Sequence, residues 1–271
     1  MPDTITCAAD DGVQVTATMS GTGRPLILLP GGIDYAGRGW DKVVPLLTST
    51  HRVVRFVRRF YRPELGDPFR WAMADEARDV AALAQRIGEP IDIVGHSSGG
   101  VLALECLVRD PVLYRSAVVF EAPIVLDQPL GGESLATARQ NLSAGHPGRA
   151  MTTFFRDVVG MPAWSSWLSA VALTTIPAYR ARIPGQVADL AAIDAVGDRR
   201  AAYRTIQHPV LGIWSTASPE HLANRMKALI ETLRSTEEWI VEGGHASQQK
   251  HPQLHAKRIT TFLTATDEDP H

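Results

Sequence analysis

The sequence has little of several features that mark special classes of protein. It contains only two cysteines, Cys7 and Cys106, which argues against a disulfide framework. No apolar run reaches the length of a membrane-spanning helix, and residues 1–6 lack the basic and then apolar pattern of a signal peptide. Basic residues number 27 and acidic residues 29, so the net charge of −2 does not suggest a nucleic-acid or membrane surface. We therefore expect a cytoplasmic protein.

The composition that remains is that of an ordinary globular protein. Of 271 residues, 45% are hydrophobic and 21% are charged, which suffices for one large α/β domain. Short apolar runs alternate with segments of helical spacing over residues 1–125 and again over residues 207–271. Between 126 and 206 this alternation gives way to helical spacing alone. We predict an α/β core formed by the two outer parts and a helical cap at residues 126–206.

One stretch of the core has the pattern of a nucleophile elbow. An apolar strand at residues 91–94 leads into Gly95-His96-Ser97-Ser98-Gly99, and residues 101–106 then begin a helix. The order of strand, sharp turn and helix is the context in which a G-x-S-x-G motif exposes its serine above a sheet. We predict that Ser97 is a nucleophile at the positive end of that helix.

A serine hydroxyl is a weak nucleophile and needs a base within hydrogen-bond reach. Among nine histidines, His245 stands out because it follows two glycines just after the last predicted strand, at the same sheet edge as Ser97. His96 is next to Ser97, but its side chain should point elsewhere. His251 and His255 lack the intervening glutamate of a zinc-protease motif, so we interpret them as part of a helix surface. His245 is therefore the predicted base.

Two loops of the core have unusual composition. Residues 30–35 form a glycine-rich loop after the apolar run 26–29, and open α/β sheets bind ligands at such positions. Residues 58–63 read Arg-Arg-Phe-Tyr-Arg-Pro, which is typical either of a solvated loop or of an anion site. We favour the solvated loop.

The glycine loop, the elbow, the helical insertion and the final histidine together resemble the α/β-hydrolase family over nearly the whole chain. The resemblance implies an eight-stranded, mostly parallel sheet flanked by helices, a small-molecule substrate, and no metal or organic cofactor. By position, Ser97 would be the nucleophile and His245 the base, and the amides of Gly32 and Ser98 would form the oxyanion hole. Gly32 follows from the family's usual His-Gly-x loop, which here reads Pro30-Gly31-Gly32.

The third member of the triad departs from the usual pattern. Most relatives carry Asp in the loop after the strand 210–214, where this chain has Ser218, which cannot carry a charge. A smaller group, which zearalenone lactonases resemble, places its acid after the strand that follows the elbow helix. That position is Glu121 here, and Glu220 is the reserve acid. Alternatively, Glu121 is a strand-end carboxylate in solvent or paired with an arginine.

These residues predict a serine hydrolase that cleaves a carboxylic ester, and the cap composition favours a medium-sized, apolar substrate. The resemblance to the Glu-type relatives implies that this ester could be a lactone. The predicted pocket residues are Gly31, Ile33, Trp164, Trp167 and Trp214, although the cap tryptophans fit packing onto the core equally well. One alternative is a cofactor-free oxygenase, a C–C hydrolase or a perhydrolase on the same fold. Another is a non-catalytic protein that binds a small ligand. We expect a monomer or homodimer without a nucleic-acid or membrane partner.

Overall fold

A single sheet of eight strands forms the centre of the computed structural model, which describes residues 3–35 and 37–268. The strands are β1 (Asp3–Ala8), β2 (Gln14–Ser20), β3 (Arg24–Leu29), β4 (His51–Phe56), β5 (Ile91–His96), β6 (Tyr114–Phe120), β7 (Val210–Ser215) and β8 (Thr236–Val241). They lie in the order β1-β2-β4-β3-β5-β6-β7-β8. The β1–β2 and β2–β4 pairs are antiparallel and the other five are parallel. The predicted eight-stranded, mostly parallel sheet is therefore confirmed.

Helices connect the strands and cover the sheet. They are α1 (Val44–Leu47), α2 (Met73–Ile87), α3 (Ser98–Arg109), α4 (Gly132–Ser143), α5 (Pro147–Thr153), α6 (Ala163–Thr175), α7 (Pro177–Arg180), α8 (Ile183–Val196), α9 (Arg200–Tyr203), α10 (Glu220–Thr232), α11 (Ser247–Lys250) and α12 (Pro252–Glu268). A π-helical turn, Phe154–Val158, follows α5 directly. None of the helices in the described ranges has the length and apolar character needed to cross a bilayer.

The central strand β3 is apolar throughout because the sheet is covered on both faces. Successive side chains of a strand point to opposite faces. Ile27 and Leu29 belong to the core on the side of α2, α3 and α10. Leu26 and Leu28 belong to the core on the side of α1 and α12. A strand buried on both faces is expected to read as a continuous apolar run, as residues 26–29 do.

Six helices, α4–α9, lie between β6 and β7 and form what we call the helical insertion, residues 132–203. The predicted helices of this region are present. The insertion packs on the core through α8, where Ala188 and Ala192 contact Phe60 and Tyr61. The proposed boundaries at residues 126 and 206, which would make the insertion a separate cap, remain a prediction.

Candidate active site

Ser97 lies at the sharp turn between β5 and α3, in a backbone conformation that L-residues rarely adopt. Its φ is 54° and its ψ is −125°. The turn leaves no room for side chains at its shoulders. A Cβ on Gly95 would lie 2.4 Å from the Gly99 carbonyl oxygen, and one on Gly99 would lie 2.1 Å from that of Leu29. Such strain persists only where the surrounding structure enforces it, as in a nucleophile elbow.

Glu121 directly follows β6 and is fully buried. Its Oε2 accepts a hydrogen bond from His245 Nδ1 at 2.5 Å. Its Oε1 accepts from the Ser215 amide at 2.8 Å and also from the Ser218 hydroxyl. Burial alone would raise the pKa of this carboxyl, but the hydrogen bonds and the charge of His245 hold it below its ordinary value. Glu121 is thus an ionised, buried carboxylate, and neither a solvent-exposed group nor an arginine partner.

This contact determines which nitrogen of His245 can act as a base. Because Nδ1 donates its proton to Glu121, the neutral ring carries its lone pair on Nε2. Ser97 and His245 line the same cavity. In the ranges described, no hydrogen bond joins Ser97 Oγ to His245 Nε2, and catalytic hydrogen bonds are often long until a substrate is bound. The structure therefore brings the three predicted residues to one place.

The side chain of His96 lies beneath His245. Its Nε2 donates to the His245 carbonyl oxygen at 2.8 Å, and its ring centre is 4.7 Å from that of His245. The ring also stacks on Phe120 at 4.8 Å. Burial, and then the nearby His245, lower the pKa of His96 to about 3, so its ring is neutral at pH 7. His96 thus holds the backbone of His245 in place, a role that its position beside Ser97 did not reveal.

The predicted oxyanion donors are adjacent, but one of them is already engaged. The Gly32 amide donates to the Ser98 hydroxyl oxygen at 3.0 Å. The same oxygen accepts from Arg58 Nη1 at 2.7 Å. By contrast, the Ser98 amide is in the first turn of α3, where backbone N–H groups have no partner within the helix. Of the two predicted donors, the Gly32 amide is therefore the one that already has a side-chain acceptor.

Most of the segment 58–63, which was predicted to be a solvated loop, is buried, although Arg62 is half-buried and Pro63 is exposed. Arg58, Arg59, Phe60 and Tyr61 are each exposed by 3% or less. The prediction is wrong for these residues because Arg58 and Arg59 have acidic partners far away in the sequence. Arg59, for example, pairs with Asp79 of α2. Sequence spacing gave no sign of these pairs.

Arg58 ties three parts of the fold together behind the elbow. Its Nε donates to Glu76 of α2 at 2.8 Å, and its Nη2 donates to Asp189 of α8 at 2.9 Å. Its Nη1 also donates to the Pro30 carbonyl oxygen at 3.2 Å. Burial raises the pKa of the Glu76 carboxyl despite the opposing charge of Arg58. The helical insertion, α2 and the glycine loop therefore share one buried guanidinium with the Ser98 hydroxyl.

A cavity of about 520 Å³ is lined by Ser97 and His245 and by residues of the helical insertion. This volume is within the usual range for small-molecule sites. Gly31 and Ile33 line it, as predicted. The wall on the side of the insertion is largely apolar and comes from Phe154, Phe155, Val158, Met161, Leu190 and Ile193. The π-helical turn Phe154–Val158 forms part of this wall, and such turns are often found at functional sites.

The three tryptophans that were predicted to line the pocket do not do so. Trp164 and Trp167 on α6 are 70% and 58% exposed and point away from the cavity. Trp214 donates from Nε1 to Glu238 at 2.7 Å, and the Lys227 ammonium lies 4.7 Å from its ring centre. Helical spacing places Trp164 and Trp167 on one face of α6, but it does not tell which way that face points.

Comparison with known proteins identifies the family. A family model described as "Alpha/beta hydrolase family" matches residues 26–258. The chain belongs to the alpha/beta hydrolase family. This match includes the elbow, the glycine loop, Glu121 and His245.

Solved structures of other alpha/beta hydrolase-like chains have the same fold over nearly the whole length. An alpha/beta hydrolase from Sphaerobacter thermophilus is 21% identical, with a TM-score of 0.76, and the match covers 96% of this chain and 100% of that one. An esterase from Rhodococcus sp. ECU1013 is 21% identical, with a TM-score of 0.72 and coverages of 97% and 99%. A bromoperoxidase from Bacillus anthracis is 16% identical, with a TM-score of 0.70 and coverages of 97% and 100%. At these identities the likeness shows the fold alone.

In this alpha/beta hydrolase, Ser218 occupies the position where the family resemblance led us to expect an acid. The Ser218 hydroxyl donates to Glu121, which directly follows the neighbouring strand β6. Glu220, the reserve candidate, is exposed at the start of α10, and its side chain makes no hydrogen bond or ion pair within the described part of the chain. The geometry therefore favours Glu121 over Glu220 as the partner of His245.

Proposed function

We propose that this alpha/beta hydrolase is a serine hydrolase that cleaves a carboxylic ester through an acyl-enzyme. Ser97 is the nucleophile, His245 the general base, and Glu121 the residue that orients and stabilises the imidazolium. The observation that carries the proposal is the 2.5 Å hydrogen bond between His245 and a fully buried Glu121, beside the cavity that a strained Ser97 also lines. A base oriented by an ionised partner is what a weak hydroxyl nucleophile requires.

In the proposed reaction, Ser97 Oγ attacks the ester carbonyl while His245 Nε2 takes the hydroxyl proton. The resulting imidazolium is stabilised by Glu121, which remains ionised throughout. His245 then gives the proton to the leaving alcohol as the C–O bond breaks and the acyl group remains on Ser97. A water molecule, deprotonated by the same Nε2, attacks the acyl-enzyme, and Ser97 recovers its proton as the carboxylic acid leaves.

The tetrahedral oxyanion would be held by the amides of Ser98 and Gly32. Removal of one such donor typically costs about 2.7–4 kcal/mol of transition-state stabilisation. The Gly32 amide donates to the Ser98 hydroxyl at 3.0 Å, so it would have to share its proton with the oxyanion or turn toward it. Because Gly32 has a φ of 26° and no side chain, the loop has the conformational freedom for such a turn.

The lining of the cavity supports a medium-sized and mostly apolar substrate. We also propose that the chain belongs with hydrolases whose acid follows the strand after the elbow helix, the group that zearalenone lactonases resemble. The support is the position of Glu121 directly after β6, together with Ser218 where other relatives have an acid. On this basis lactones belong in the substrate panel. The proposal also includes a cap role for residues 126–206, whose helices supply the apolar wall.

The first test is turnover of p-nitrophenyl butyrate by the wild type, Ser97→Ala and a matched control, Ser143→Ala. Ser143 is exposed on α4, outside the cavity, so its variant should match the wild type. We expect Ser97→Ala to lose activity by about 10³-fold or more, since the substitution removes the hydroxyl that forms the acyl-enzyme. A panel of esters and lactones then ranks the substrates.

Other outcomes would point to other chemistry on the same fold. If Ser97→Ala keeps the wild-type rate, Ser97 is not the nucleophile and the proposal is wrong. A reaction that needs only the His245 base, such as that of a cofactor-free oxygenase, would then be tested next. If hydrogen peroxide replaces water as the acyl acceptor, a peracid forms and the protein is a perhydrolase. If compounds bind without being converted, the non-catalytic ligand-binding alternative gains support.

A further inference from the structure

Three polar side chains that the proposed reaction does not use converge on one part of the cavity wall. They surround Gly39, where a Cβ would lie 2.9 Å from Asp34 Oδ2, 3.1 Å from Gln249 Nε2 and 3.4 Å from Gln248 Nε2. All three of these side chains line the cavity. We call Asp34, Gln248 and Gln249 the polar corner. It joins the end of the glycine loop to α11, which follows the His245 loop directly.

Gln248 has an unsatisfied hydrogen-bonding group in this corner. Its side chain is 1% exposed, and its Oε1 has no hydrogen-bond partner among the described residues. A buried carbonyl oxygen without a donor is destabilising, and native structures contain few such groups. Because Gln248 lines the cavity, a ligand in the cavity can supply the donor that the protein does not.

Asp34 adds a second acceptor. Its Oδ2 accepts a hydrogen bond from the Gly39 amide at 3.0 Å. Burial raises the pKa of Asp34 to about 6, against the opposing effect of the nearby backbone amides, so the group is mostly a carboxylate at neutral pH. An ionised carboxylate only accepts hydrogen bonds and has room for several.

The corner therefore offers acceptors from Asp34 and Gln248 together with the amide donors of Gln248 and Gln249. A hydroxyl group both donates and accepts, so it can use both kinds of partner. An ammonium group would use the acceptors alone and leave the amide N–H groups facing a cation. The wall formed by the helical insertion, with Phe155 and Leu190, is apolar and favours a hydrocarbon body for the rest of the molecule.

We propose that the polar corner binds a hydroxyl group of the substrate, so that the preferred substrates are otherwise apolar esters or lactones bearing a free hydroxyl away from the scissile bond. This inference rests on the proposed ester hydrolysis, whose specificity it defines. A site built to hydrogen-bond a substrate hydroxyl discriminates against the analogue that lacks it, because buried polar groups are then left without partners. With a charged acceptor involved, we expect a preference of about 10- to 100-fold in kcat/KM.

The test compares matched pairs of p-nitrophenyl esters whose acyl chains either carry or lack a terminal hydroxyl, over a series of chain lengths. At the length that reaches the corner, the wild type should prefer the hydroxylated ester. In Asp34→Asn and in Gln248→Met that preference should fall to about threefold or less, because one acceptor is lost. The matched controls Asp41→Asn and Gln253→Met lie outside the cavity lining and should keep the wild-type preference. With two variants in the corner, misfolding of one leaves the other as the test.

A second measurement separates this inference from the proposed reaction. Titration calorimetry measures binding of the corresponding pair of non-hydrolysable amides to Ser97→Ala. Tighter binding of the hydroxylated amide to Ser97→Ala, and loss of that difference in Ser97→Ala/Asp34→Asn, would support the polar corner. This holds even if the wild type hydrolyses no ester, because the absence of hydrolysis would overturn only the serine hydrolase proposal. Equal binding of the two amides, or a hydroxyl preference that survives in both corner variants, would overturn the inference.

Discussion

Replacement of Glu121 by glutamine tests the most unusual feature of the site, since it removes one charge and almost no volume. Glu121 accepts hydrogen bonds from His245, Ser215 and Ser218. The two serine donors share Oε1, so the amide oxygen of a glutamine would remain with them. Its NH2 group would then face His245 Nδ1, where the wild type has an acceptor. The His245 ring would have to move its proton from Nδ1 to Nε2.

The size of the effect follows from that change of tautomer. With a proton on Nε2, His245 can no longer accept the Ser97 proton, and a later imidazolium would have no anionic partner. The same change in a Ser-His-Asp triad lowers kcat by about 10⁴. The Glu121 carboxylate is fully buried, so water cannot replace it, and we expect a loss of about 10³- to 10⁴-fold in kcat. That loss corresponds to about 4–5.5 kcal/mol.

The assay is p-nitrophenyl butyrate turnover by the wild type, Glu121→Gln and the matched control Glu220→Gln. Thermal unfolding checks that each variant is folded. Glu220 is exposed, and its variant should keep the wild-type kcat. A folded Glu121→Gln with at least half of the wild-type kcat, or a large loss in Glu220→Gln instead, would refute the assignment of the acid.

Three further predictions concern the surroundings of the triad. In Ser98→Ala, Arg58 loses the acceptor at 2.7 Å, so the free energy of unfolding in urea should fall by about 1–3 kcal/mol; unchanged stability would mean that other acceptors satisfy Arg58. Folding lowers the pKa of His96 from 6.5 to about 3. As the pH falls, the unfolded chain therefore protonates this residue at a higher pH than the folded protein does. Stability should therefore drop by about 2 kcal/mol from this residue between about pH 7.5 and about pH 5, and urea unfolding of His96→Gln should show a correspondingly weaker dependence on pH. The double variant Trp164→Ser/Trp167→Ser removes exposed side chains and should keep kcat/KM for p-nitrophenyl butyrate within about twofold; a larger loss would place these residues at the substrate.

The parts of the fold that the sequence predicts correctly depend on local patterns. The apolar run 26–29 predicts a strand covered on both faces, and the packing of Ile27 and Leu28 into cores on opposite sides of the sheet confirms it. The elbow is equally local, because Gly95 and Gly99 are required by backbone contacts within a few residues and by the adjacent strand. These signals sufficed for the sheet and for the family.

The partner of His245 was predicted from the position of Glu121 in the fold that the resemblance implies. Glu121 is 124 residues away from His245 in the sequence, and only the resemblance to hydrolases with an acid after this strand pointed to it. The structure brings the two side chains together, while the catalytic role remains a proposal. The sequence did not reveal that Ser218 would donate to Glu121, since a serine in a loop has many possible partners.

The failures have one physical cause, which is that orientation and pairing are set by tertiary contacts. Arg58 looked like a solvated charge because its acidic partners lie 18 and 131 residues away. The α6 tryptophans share a helix face, but the packing of the whole insertion decides that this face points outward. Likewise, His255 was interpreted as surface but is buried against Ser247, to which it is joined by a hydrogen bond of 2.9 Å.

The central claim is that Ser97 is the nucleophile, and covalent labelling tests it most directly. The protein is treated with a fluorophosphonate, which reacts with activated serine hydroxyls, and the labelled peptide is identified by mass spectrometry. The account predicts one label per chain, on Ser97, in proportion to the loss of esterase activity, and no label on Ser97→Ala. Two results would contradict the claim. In one, the esterase stays active in the presence of the reagent and Ser97 is not labelled; in the other, the label lies on another residue.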